Sequence, residues 1–105
     1  MIKEIKLIEN PYLRGMNILI EENIKLICSI SKEPFTAKIT ITYEVNDKFI
    51  ELVSLRNYIK KEFKEETIES LCYKIKNELS CKLHNNVKVC VTGESKIHPT
   101  ETVWL

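Results

Sequence analysis

Thr36-Ala37-Lys38-Ile39-Thr40-Ile41-Thr42-Tyr43 alternates small or apolar side chains with polar ones without a break. A period of two puts Ala37, Ile39, Ile41 and Tyr43 on one face and predicts a strand buried on one side only. Upstream, Asn17 to Cys28 is a second extended run, interrupted by the polar Glu21-Glu22-Asn23. Ser31 to Pro34 reads as a turn or loop, and the first ten residues as a short strand ending at Asn10-Pro11. Downstream, Asn46-Asp47 predicts a hairpin turn, with Lys48 to Val53 returning as a strand. Ser54 reads as the N-cap of a helix to about Phe63. Thr67 caps a longer helix to about Leu83, whose apolar stripe is Ile68, Leu71, Cys72, Ile75, Leu79 and Leu83. Val87 to Thr92 is a further strand, and Thr102 to Leu105 a last short one.

Strands, then two helices, then strands predict one α+β domain over residues 1–105, with both helices on one face of an antiparallel sheet. A small open sheet has two edges, and little of this chain remains to cover them. Exposed edges invite pairing, so a homo-oligomer is expected.

The 105 residues are 44 % hydrophobic and 30 % charged, with a formal net charge of +1. That excludes a binder that works through bulk positive charge, although a local basic face remains open at Lys60, Lys61, Lys64, Lys74 and Lys76. The first residues alternate charge with isoleucine and do not resemble a signal peptide, and no apolar run approaches the ~20 residues of a membrane span. A cytoplasmic protein without a membrane partner is therefore expected. The only glycines are Gly15 and Gly93, so glycine-rich nucleotide loops are absent. None of the four cysteines is spaced C-x-x-C and there are two histidines, so no metal site is expected. Cys72 belongs to the helix stripe and reads as core. Cys28 ends a strand beside a loop with Lys32 four residues on, a placement that suits a thiolate nucleophile.

The run Cys28-Ser29-Ile30-Ser31-Lys32-Glu33-Pro34-Phe35-Thr36-Ala37, with the strand to Tyr43, resembles the nucleophile loop of the 7-cyano-7-deazaguanine reductase (QueF) family. There a Cys precedes a Thr-Gly-Gln-Pro-Asp-Phe-Ala type loop and a strand ending in Tyr. Cys28, Pro34, Ala37, Ile39, Ile41 and Tyr43 match without a gap. Glu51-Leu52-Val53-Ser54-Leu55-Arg56-Asn57-Tyr58 is similar to the family's second motif. Thr67-Ile68-Glu69-Ser70 falls where the family has a His-Glu pair opening its second helix. The resemblance spans roughly residues 20 to 95.

It implies the tunnelling fold, a ββααββ unit that oligomerises into barrels, as a pentamer or decamer, with purine-like ligands between subunits. It also implies that the Cys28 thiolate adds to the nitrile of 7-cyano-7-deazaguanine to give a thioimide. Glu69 would pair with the base's amino and ring N–H groups, with Glu51 and Ser54 near the ligand. Taken by themselves, Glu51 and Glu69 read as solvated charge in a Glu-rich chain.

The chain departs from the family at informative places. The loop Asp falls at Phe35, which leaves Glu33 as the candidate acid. The family's His is Ile68. The two lysines associated with NADPH are Val53 and Arg56, and the reductases' Arg-Gly-Gly segment is replaced by Lys96-Ile97-His98-Pro99. The eroded NADPH motif, with Cys28 and Glu69 kept in a short chain, favours the short archaeal QueF-like amidotransferases, which send ammonia to the thioimide and form archaeosine in tRNA. On that reading no cofactor is needed and the partners are tRNA and an ammonia donor. The alternatives are an NADPH-dependent reductase of the free base, and a non-catalytic ligand- or tRNA-binding homologue.

Overall fold

The computed structural model describes residues 4–12, 15–84 and 86–105. Its centre is a long hairpin. Strand β2 (Met16–Cys28) pairs antiparallel with β3 (Pro34–Val45) along its whole length, from Met16↔Val45 to Ile27↔Pro34. The polar Glu21-Glu22-Asn23 does not interrupt β2, because Glu21 and Asn23 sit on its solvent face, where charge costs nothing. Glu22, half-buried on the other face, is held by Arg56 Nε at 2.6 Å.

Strand β6 (Val87–Glu94) pairs with the other edge of β3, and β7 (Glu101–Trp104) with β6. Among the described residues, the outer edge of β2 receives only β5 (Glu65–Glu66), at Ile27 and Cys28, and in parallel. The sheet order is thus β5-β2-β3-β6-β7, and the expectation of a purely antiparallel sheet is corrected to a mixed one. A two-residue strand carries no periodicity, so the sequence pattern cannot reveal it.

The alternation works as expected. Phe35, Ala37, Ile39, Ile41, Tyr43 and Val45 are buried, as are Val87, Val89 and Val91 of β6. Helices α1 (Leu52–Glu62) and α2 (Ile68–Leu83) supply the rest of one core, with Leu55, Ile59, Leu71, Cys72, Ile75 and Leu79 inside. On the opposite face Leu19, Thr36, Lys38 and Trp104 are exposed and Cys90 and Thr92 half-buried. The Cα radius of gyration of 14.3 Å exceeds the ~13 Å of a close-packed chain this long, as a slab with one bare face should.

Two local expectations are corrected. Strand β4 (Lys48–Ile50) does not pair back onto β3. It leaves through the Asn46–Asp47 bend and pairs with β1 (Leu7–Glu9) as a separate ribbon. Tyr43 fixes that departure, its buried Oη accepting the Ile50 N–H at 2.9 Å. Helix α1 is capped three residues before the anticipated cap: Glu51 is the N-cap, its carboxylate accepting from Val53 N–H (2.7 Å) and Ser54 N–H (3.0 Å). A carboxylate at this position satisfies two orphan amides at once, so the helix opens there and Ser54 becomes its third residue. Thr67 caps α2 as expected, in a reciprocal box with Ser70.

Candidate functional site

Cys28 is half-buried at the end of β2, inside a closed loop. Its N–H donates to the Glu33 carbonyl and its carbonyl accepts from Lys32 N–H, both at 2.9 Å. Lys32 takes a left-handed conformation (φ 62°) to turn the chain. The fold holds the loop from the far side as well, where Ser29 N–H donates to the Glu66 carbonyl at 3.3 Å.

The thiol is held below its ordinary pKa. The Ser31 side chain is the largest cause, followed by the backbone N–H groups of Ser31 and Ile30, with His98 adding a favourable charge. Each stabilises the anion over the thiol. The cation expected from the sequence, Lys32, is engaged elsewhere: its ammonium pairs with Glu65.

Helix α2 starts beside this loop because Glu66 is the register partner of Cys28 and Thr67 is the cap. The Glu66 carboxylate is consumed locally, by Ser70 Oγ at 2.8 Å and Lys74 Nζ at 3.0 Å. Glu69, in the first turn, stays exposed. It hydrogen-bonds the side chain of Glu101, at the start of β7, and that bond to a neighbouring carboxyl raises the Glu101 pKa. Two carboxylates this close resist double ionisation, so Glu101 holds its proton to higher pH. Glu101 lies here because it is the register partner of Gly93, against which α2 docks. A methyl group at Gly93 would sit 2.2 Å from Ile68 Cδ1. Only a residue without a side chain lets Ile68 lie this close to β6.

The other anticipated residues lie elsewhere. Glu33 is exposed in the loop. Glu51 and Ser54 sit at the opposite end of β2, around a cleft lined by Ile18, Ile20, Glu51 and Leu52. Eight strand residues from Ile20 to Cys28 span about 26 Å. Both are committed there: Glu51 caps α1, and buried Ser54 accepts Lys6 N–H at 2.9 Å and donates to the Glu51 carbonyl at 2.8 Å. Within one chain they do not join Cys28. Phe35, at the family's Asp position, is in the core at 5 % exposure, and Ile68, at the His position, at 8 %.

Sequence reasoning missed Ser31, His98 and Glu101 as neighbours of Cys28 and Glu69. The available signal was the departure at Lys96-Ile97-His98-Pro99, which contains one of only two histidines. Among the described residues, no group of His, Cys, Asp and Glu is placed to hold a metal ion, and no helix is long and apolar enough to cross a membrane.

No family model matches the sequence, and no curated protein does. The fold does have likenesses among solved structures. The crystal structure of the archaeosine synthase QueF-Like in the apo form superposes with a TM-score of 0.73 at 15 % identity, over 85 % of this chain and 90 % of that one. At that identity the likeness is one of fold. The chain is an α+β protein with a mixed sheet and two helices, built like this QueF-like synthase.

Proposed function

We propose that the protein is a tRNA-modification enzyme of the QueF-like amidotransferase type. It would act through Cys28 on the nitrile of 7-cyano-7-deazaguanine already in tRNA, and form archaeosine. The observation that carries this reading is the Cys28 loop, which holds the thiol below its ordinary pKa through Ser31 and two backbone amides, with helix α2 and its exposed Glu69 starting beside it. A carboxylate there can accept two parallel N–H bonds from a purine-like base, as the resemblance implies for Glu69.

The chemistry runs in two balanced steps. The Cys28 sulfur adds to the nitrile carbon and the nitrile nitrogen gains the thiol's proton, giving a thioimide. Ammonia then adds to that carbon and the Cys28 thiol leaves, giving the formamidine. Neither step needs a cofactor.

Two further observations support the tRNA form of the substrate and an assembled enzyme. Lys25, Lys60 and Lys64 line a depression of about 460 Å³ beside the β2 edge, a charge pattern suited to a phosphate backbone. Residues Met16–Leu26 of β2 have no strand on their outer edge among the described residues, which suits pairing with a second copy and a pentamer or decamer. A neighbouring copy could then bring its Glu51 end toward this Cys28. The NADPH-dependent reductase is disfavoured, because Arg56 is tied to Glu22 and Val53 offers no charge for a cofactor phosphate.

The test is intact-protein mass spectrometry after mixing with 7-cyano-7-deazaguanine, free or in tRNA, beside Cys28→Ala. A one-ligand mass gain lost in the variant, and discharged by ammonia but not NADPH, is expected. Discharge by NADPH alone would make the reductase correct. No gain with either substrate form would leave the non-catalytic binding reading.

A further inference from the structure

The formal net charge is only +1, yet the cations are unevenly used. Lys32, Lys38, Lys48, Arg56 and Lys74 are each paired with a glutamate. Lys25, Lys60, Lys64 and Lys96 enter no ion pair among the described residues, and all four line two depressions that meet. The first, of about 460 Å³, is bounded by Lys60 and Lys64 at the end of α1 and by Asn23 and Lys25 of β2. Among the described residues, no carboxylate lines it. The second, of about 500 Å³, runs from Lys25 to Lys96 and Thr100 and contains the Glu94 carboxylate. Lys25 and Thr36 belong to both.

Strand register makes the two continuous. Lys25 opposes Thr36 across β2 and β3, and Thr36 opposes Glu94 across β3 and β6. Opposed residues share a face, so the three form a row across the sheet, about 4.8 Å from strand to strand, on the side away from the helices. Lys64 is fixed near the start of the row, where its carbonyl accepts the Ile27 N–H at 3.1 Å. The path thus begins at the end of α1, bends over the edge of β2 and crosses the sheet to the segment joining β6 and β7. Pro34 lines it and is the register partner of Ile27, the residue before Cys28, so the path runs beside the Cys28 loop. Farther along the same face Trp104 opposes Cys90, four strand residues or about 13 Å from Glu94, and is 67 % exposed.

Four unneutralised ammonium groups along one path fit a ligand whose negative charge repeats. A path that bends over a sheet edge takes a flexible strand and rejects a duplex, which is stiff over ~150 base pairs. A cationic groove followed by an exposed aromatic ring is also the combination that holds single strands, with phosphates on the groove and a base stacked on the ring. We propose that the two depressions are one track for single-stranded RNA, with Lys60, Lys64, Lys25 and Lys96 on its phosphates and Trp104 stacking a base at the far end. Glu94 interrupts the row and meets a sugar hydroxyl or base amine rather than a phosphate. The track uses the edge of β2 only at Asn23, Ile24 and Lys25, so a second copy could pair along Met16–Glu22 without covering it. This deepens the tRNA part of the reading above, and rests on it for the choice of a nucleic acid as the polyanion.

The test is fluorescence anisotropy with a labelled single-stranded RNA of about 12 nucleotides that carries no nitrile base. Lys25→Gln and Lys96→Gln should each weaken binding roughly threefold or more and flatten the slope of log Kd against log salt by about 0.7. Trp104→Ala should weaken binding about 10-fold with the slope unchanged, because stacking releases no counterion. Lys61→Gln, the same charge on the same helix end but in neither depression, should stay within about twofold. A duplex of the same sequence should bind about 10-fold or more weakly. Equal losses in Lys61→Gln and Lys25→Gln, a duplex bound as tightly as the single strand, or polyglutamate competing as well as unlabelled RNA would each overturn the track, the last in favour of an acidic protein segment. No RNA binding would also overturn it, and a Cys28 adduct on the free base would then leave the nitrile chemistry standing. RNA bound as expected, with no adduct on either substrate form, would uphold the track and overturn the nitrile reading.

Discussion

At the Ile20 end of β2, Glu51 accepts two amides of α1 and Ser54 ties Lys6 to the same turn. At the Cys28 end, the thiol draws on Ser31 and His98, while Glu69 and Glu101 share a hydrogen bond in the open. Both ends carry a glutamate in or just before a helix's first turn, and at both the sequence marks it as a candidate. The difference lies in what the local backbone demands. Helix α1 has an acidic residue at its cap, so the helix itself uses the carboxylate. Helix α2 is capped by Thr67 and Ser70, so its first turn makes no use of Glu69, which meets only the exposed Glu101 among the described residues. Polar groups that a fold has no need of are the ones available to a ligand.

The sharpest way to break this contrast is to remove the unspent carboxylate. Glu69→Ala should weaken binding of 7-cyano-7-deazaguanine roughly 10- to 100-fold by calorimetry, whereas Ser54→Ala leaves affinity within about twofold. Equal losses would mean that the two ends act on one ligand, as an assembly that brings them together would allow.

Next in size is the docking of α2 at Gly93. Gly93→Ala should cost about 1–3 kcal/mol in urea unfolding, because Ile68 must move off its rotamer. Combining it with Ile68→Ala should cost less than the sum of the two single changes, since the shortened side chain leaves room.

Ser54→Ala should cost about 1 kcal/mol, from the Lys6 amide losing its acceptor, with Cys28 alkylation unchanged. A change in thiol reactivity there would show the two ends to be coupled.

The smallest effect is in pH dependence, and its sign differs between the ends. Two backbone amides hold the Glu51 pKa below the ordinary carboxylate value. Its contribution is therefore present above the unfolded pKa and lost as pH falls through the folded one. The Glu101 pKa is raised by Glu69, so its contribution is present below the unfolded pKa and lost as pH rises through the folded one. In thermal melts across pH, Glu51→Gln should flatten the acid limb and Glu101→Gln the limb just above the ordinary carboxylate range. The same limb flattened by both would remove the distinction.

What the sequence made legible was whatever repeats at a fixed period. The β3 alternation and the α2 stripe were readable because burial on one face imposes the same choice many times over. Strand β5 has two residues and no period, so the mixed character of the sheet was hidden. The Asn46–Asp47 bend was recognisable as a turn, but turn chemistry is local and does not name the partner, so β4 was assigned to β3 rather than β1. Ser54 was mistaken for a cap because Glu51, three residues earlier, can reach the same amides with a longer side chain. At the candidate site, Cys28 and Glu69 were singled out by motif. His98 and Glu101 were not, because they enter from a segment with no motif and meet the loop only through the pairing of β6 with β7.

The loop that carries Cys28 also closes the β2–β3 hairpin, whose register runs outward from Ile27↔Pro34 for twelve pairs. A hairpin that long, joined by so short a connection, is the most sequence-local part of the sheet, and local contacts are the ones a folding chain reaches first. The turn at Lys32 is thus a step in folding before it is a cradle for a thiol. Substitutions there that tune reactivity should appear as slower refolding with little change in the unfolding rate, the signature of a residue already in place at the transition state.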